Sequence, residues 1–153
     1  MPENPKATNI EEIYRAALSV WLAMLMSQFM FFVLIYFAKP GLFNLDALRE
    51  FPKEIDLVIL ALGFVGLMTF ALSFVVKAKF IKSAVEKQQP TLVQQAQIVA
   101  YALCEATSLF GLITAFAFEF RYFFLWIFVG LLGFLLHFPR RDNFHAASYK
   151  GKI

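Results

Sequence analysis

One residue in this sequence is out of keeping with its surroundings. Glu105 is the only charge in the apolar run spanning residues 98–118. An ionised carboxylate in hydrocarbon costs several kcal/mol at the least, so such a group faces protein, pairs, or keeps its proton. Burial disfavours the charged form of a carboxyl, which lets it hold a proton near neutral pH. A carboxyl that loads and releases a proton as its surroundings alternate does transport chemistry. One that only donates a hydrogen bond to a neighbouring helix is structural. At helical spacing Gln94, Gln97, Tyr101, Glu105, Ser108, Gly111 and Ala115 share a face, polar at one end and small at the other. Small and polar side chains are also what membrane helices use to pack, so the stripe suits a proton path and plain helix contact alike.

A tight turn around Glu119 and Arg121 marks one edge of the apolar layer. Glu105 lies about 21 Å inward from it at 1.5 Å per residue, in the far half of a ~30 Å core. In a hairpin turning near residue 120, the level of Glu105 is matched near residue 135. His137 is therefore its candidate partner, the alternative being a histidine that simply ends a span at the interface. Phosphate loops, dinucleotide fingerprints and metal-ligand spacings do not occur, so no cofactor, no metal and no enzymatic activity is assigned. Cys104 is the single cysteine and reads as a small packing residue. His137 and His145, one of them in a tail, make a poor haem or metal pair.

The elements that position Glu105 follow from composition. Of 153 residues 60% are hydrophobic, 20 are Phe, and 16% are charged where about a quarter is usual. A soluble domain of this size still exposes about 30% of its unfolded surface and has nowhere to hide so many large apolar side chains. The expected fold is all-α, a four-helix transmembrane bundle forming one integral membrane domain. Its helices are expected at about 13–38, 55–77, 91–118 and 121–138, with a mobile tail over 142–153. Pro40-Gly41 ends the first span and Pro139 the last. Between spans one and two, Asn44 is placed to cap a short surface helix carrying Leu45, Leu48 and Phe51 and ended by Pro52. Glu3, Glu11 and Glu12 stand where a cleavable signal peptide would have basic residues. Gly63, Gly66, Gly111, Gly130 and Gly133 are the candidate helix-packing positions, as are the pair Ala102 and Ala106.

Ten of the 14 Lys and Arg fall on one side of these spans: Lys6 and Arg15, then Lys77, Lys79, Lys82 and Lys87, then Arg140, Arg141, Lys150 and Lys152. Basic residues collect on the cytoplasmic side, so both termini are expected there, in a multi-pass protein of a bacterial-type inner membrane. The bilayer is the expected partner, with anionic headgroups rather than nucleic acid meeting the basic loop and tail.

The segment around Glu105 reads ALCEATSLFGLITAF. It resembles the outer-helix carboxylate pattern A-x-x-E-x-x-x-x-(Y/F)-G-L-(I/V) of the proteolipid, subunit c, of rotary ATP synthases. Ala102, Glu105, Phe110, Gly111, Leu112 and Ile113 match it, and Lys87-Gln88-Gln89-Pro90 is similar to that family's polar loop. The resemblance spans residues 57–118. It implies a proton-binding carboxylate at Glu105 in an oligomeric assembly, with a proton rather than sodium because Ala106 and Phe110 carry no hydroxyl. The alternative expectation is a structural or accessory subunit, or a self-assembling scaffold, without ion transport.

Overall fold

The structure, a computed structural model, describes residues 5–44 and 56–148. Its elements are helix α1 (Pro5–Ala38), a 3-10 turn (Pro40–Phe43), α2 (Leu57–Lys87), α3 (Pro90–Phe118), a second 3-10 turn (Arg121–Phe123), α4 (Phe124–Leu136) and α5 (Arg141–Ala146). At 1.5 Å per residue α1, α2 and α3 are about 51, 46 and 44 Å long, well beyond a ~30 Å hydrocarbon layer. Three helices are thus long and apolar enough to cross a membrane. The fourth is not: α4 has 13 residues, about 20 Å of helix. The expected fourth span over 121–138 is shortened at both ends. Residues 121–123 form the tighter 3-10 turn, with Tyr122 at φ −89°, ψ 18°. Beyond Leu136 the helix gives out before Pro139, since a residue preceding proline is driven out of the helical region.

Local chemistry sets the remaining boundaries. The Asp56 side chain accepts from Val58 N–H at 2.8 Å and caps α2. That helix runs ten residues past its expected end at 77, because Lys79, Lys82 and Lys87 are good helix formers. Gln88 stops it in the left-handed conformation at φ 55°, its N–H reaching the Ala84 and Val85 carbonyls. Pro90 then opens α3 at the one helical position where a missing N–H costs nothing. At the opposite end Glu119 caps α3 at φ 48° and donates its N–H to Thr114 O.

The central element is α3, which packs against α1, α2, α4 and α5. Its buried residues run Val93, Ala96, Gln97, Ala100, Tyr101, Cys104, Thr107, Ser108, Gly111, Thr114 and Ala115, a stripe with the three- and four-residue steps of a helix enclosed on one side. Glycines bring the other helices close. A Cβ on Gly111 would stand 2.7 Å from Phe123 O, one on Gly130 2.7 Å from Cys104 O, and one on Gly133 2.5 Å from Cys104 Sγ. Gly63 lies under the Trp126 ring, and Gly66 faces Phe110 and Thr107. Outward, Phe37, Leu57 and Phe64 stand 78%, 79% and 63% exposed, an apolar surface suited to lipid.

Residues 142–153 were expected to be a mobile tail, and the described part of them is folded. Helix α5 carries Phe144, fully buried with Ala147 against Ala17, Ala84 and Val93, and Tyr14 meets the Phe144 ring edge-on at 5.8 Å. One aromatic residue supplies the anchor that a polar sequence did not advertise. The start of α1, the α2–α3 turn and α5 therefore share one end of the bundle, while Lys39 pairs with Glu119 at the other. The short helix expected over 44–52 falls, beyond Asn44, outside the described residues.

Candidate functional site

Glu105 sits one residue past the centre line of the α3 stripe. Cys104 points into the bundle against Gly133 and Ser73, and a further 100° of helical rotation carries Glu105 toward α1. The carboxyl is consequently half-buried rather than enclosed, which corrects the expectation of a buried carboxylate. Its partner is also different. Ser27 Oγ on α1 donates to Glu105 Oε1 at 2.8 Å.

Ser27 is equally within reach of its own helix, donating to Met24 O at 2.7 Å. A hydroxyl has one proton, which Ser27 can direct to Glu105 Oε1 or to Met24 O, the latter also accepting the Gln28 N–H within α1. With a neutral Glu105 both contacts are satisfied: the carboxyl O–H donates to Ser27 Oγ, and the Ser27 O–H donates to Met24 O. The geometry is that of a chain of two hydrogen bonds ending on a backbone carbonyl. Beside it Gln28 is 1% exposed, and neither of its side-chain polar atoms has a hydrogen-bond partner among the described residues.

His137 is buried, also 1% exposed, and the Tyr101 phenol and the Cys104 thiol are buried too. The expected Glu105–His137 pair does not form. His137 Nε2 lies 2.8 Å from Ser73 Oγ on α2, and Ser73 donates to Phe70 O at 2.6 Å. Either the imidazole or the Ser73 hydroxyl can supply the hydrogen of the His137–Ser73 bond, according to the tautomer. Around it, Tyr101 O–H and Lys77 Nζ both donate to His137 O at 3.3 Å, Cys104 Sγ approaches Ser73 at 3.8 Å, and the Phe74 ring lies 4.4 Å away. This network ties the end of α4 to α2 and α3. It is a junction.

Of the polar stripe, Gln97, Tyr101 and Ser108 are buried and Gln94 is half-buried. Tyr101 belongs to the His137 junction, Ser108 donates to Cys104 O at 3.5 Å, and the Gln97 amide has no partner among the described residues. None of the three is brought to Glu105 by a hydrogen bond. The residues that reading the stripe alone leaves out are Ser27 and Ser73, and their signal was a hydroxyl standing in an otherwise apolar span. Among the described residues no three His, Cys, Asp or Glu side chains come together as a metal would require. Comparison with known protein families, with curated proteins and with solved structures found no match.

Proposed function

We propose that this chain is a non-enzymatic integral membrane subunit that binds a proton at Glu105. The observation that carries the reading is the Glu105–Ser27 contact, which also accommodates a neutral carboxyl donating onward through Ser27 to Met24 O. A half-buried acid on a helix long enough to span a bilayer also has a strong reason to keep its proton, because hydrocarbon penalises the ion. Its partial exposure leaves it open to exchange with whatever covers the α1–α3 seam, either a second copy or another subunit. The charge distribution supports an orientation with the α2–α3 turn and both chain ends toward the cytoplasm.

A second reading, a structural subunit without ion traffic, draws on the His137 junction and the tight glycine contacts. Carbodiimide labelling of the full chain in phospholipid vesicles, mapped by mass, separates the two. Proton binding predicts modification at Glu105 that declines as pH rises, and loss of proton flux in Glu105→Gln while the protein still assembles. Absence of labelling at any pH, or unchanged flux in that variant, establishes the structural reading.

A further inference from the structure

The basic residues of the crowded end differ in one respect. Arg15 and Arg141 both reach Glu11, at 3.4 and 3.2 Å, Arg141 lies over the Tyr14 ring, and Lys82 approaches Glu86 at 4.0 Å. Lys77 and Arg140, like Lys79 and Lys87, have no such acid: among the described residues no carboxylate lies within 4 Å of any of them. Yet Lys77 and Arg140 are brought together. Lys77 Nζ donates to His137 O at the end of α4, three residues before Arg140, so both cations stand where α4 ends. Cations from two elements at one exit, neither with a carboxylate within reach, suit an anion.

Their depth identifies the anion. On α2 the last lipid-facing apolar residues before Lys77 are Leu72, Phe74 and Val75, and on α4 and its exit they are Leu135, Leu136 and Phe138. Both cations thus lie at the rim of the apolar surface, one on each of two adjacent elements, where headgroup phosphates lie in a bilayer. Lys77 spends one of its three N–H donors on the carbonyl and keeps two. Arg140 is exposed and offers a planar fork that matches phosphate oxygens.

We propose that Lys77 and Arg140 hold the phosphodiester of one anionic phospholipid in the notch between α2 and the end of α4. The site needs the membrane but is independent of any proton on Glu105. Titrating the full chain in neutral detergent with phosphatidylglycerol, while reading Tm and the mass of bound lipid, tests it. The expected result is one retained phosphatidylglycerol and a raised Tm. Lys77→Gln and Arg140→Gln should each weaken binding about fivefold, against no more than about twofold for Lys79→Gln. Equal stabilisation by phosphatidylcholine or by inorganic phosphate alone overturns the proposal. So does a Lys79→Gln loss as large as that of Lys77→Gln, which would mean diffuse charge. Should Lys77→Gln fail to fold, Arg140→Gln, altering an exposed side chain, carries the test alone.

Discussion

Replacing Gly130 by Ala adds a single methyl group at the closest approach in the bundle. The new Cβ would collide with Ser108 Oγ and stand 2.7 Å from Cys104 O. Ser108 has one alternative, to turn away and give up its bond to Cys104 O. The carbonyl cannot yield, being part of the α3 backbone, so α4 must lift off α3. Overpacking of this kind costs about 1–3 kcal/mol, set against up to about 1 kcal/mol that Ala gains over Gly as a helix former. Gly66→Ala separates the two effects. It has the same propensity gain, but its nearest neighbour is Phe110 Cδ2 at 3.3 Å, on a side chain that can shift. The difference between the two variants is then almost wholly steric, about 2 kcal/mol. Unfolding both in mixed micelles, with Gly41→Ala as the control that meets nothing within 4 Å, should order them Gly130 far below Gly66, and Gly41 near wild type. Equal stabilities for Gly130→Ala and Gly66→Ala would show that α3 and α4 are not in backbone contact.

Other outcomes follow from the same structure. Ser27→Ala removes the hydroxyl that bonds Glu105 Oε1 and should raise carbodiimide reactivity at Glu105 without unfolding the bundle, read by mass mapping. Phe144→Ala empties a site enclosed by Ala17, Ala84 and Val93, so a loss of about 3–5 kcal/mol and faster proteolysis after Arg140 are expected. Ser73→Ala leaves the buried His137 Nε2 without its hydrogen-bond partner, for about 1–3 kcal/mol, measured by micelle unfolding. Lys39 donates to Glu119 and holds its carboxyl below the ordinary value of 4.5. A carboxyl shifted downward stabilises the fold above that value and stops doing so as pH falls through the lowered one. Acid titration should accordingly show a small stability loss below pH 4.5 that disappears in Glu119→Gln; both groups are solvent-accessible and salt should weaken it.

What the sequence disclosed depended on the length of the signal. Long apolar runs bounded by Pro40, Asp56, Pro90 and Glu119 placed the three long helices to within a few residues at most boundaries, because hydrophobicity over twenty positions outweighs local detail. The ten extra residues of α2 were hidden since lysines that leave a membrane are also good helix formers. Rotational phase was the harder quantity. A stripe through Gln97, Tyr101, Ser108 and Gly111 identified the packed side of α3, yet a one-residue displacement decided that Cys104 faces α4 and Glu105 faces α1. The His137 pairing erred for the same reason: levels matched along the axis, but azimuth assigned the imidazole to Ser73. Periodicity gives neither the identity of the neighbouring helix nor the worth of a lone Phe144 in a polar tail.

The seat of Phe144 also has a consequence for synthesis. Its neighbours Ile10, Ile13, Tyr14 and Ala17 are synthesised long before the side chain that covers them. Until residue 144 has emerged that oily cleft on α1 lacks its cover, so a nascent chain stalled before it should be bound by chaperones or degraded, and arrival of α5 closes the clasp.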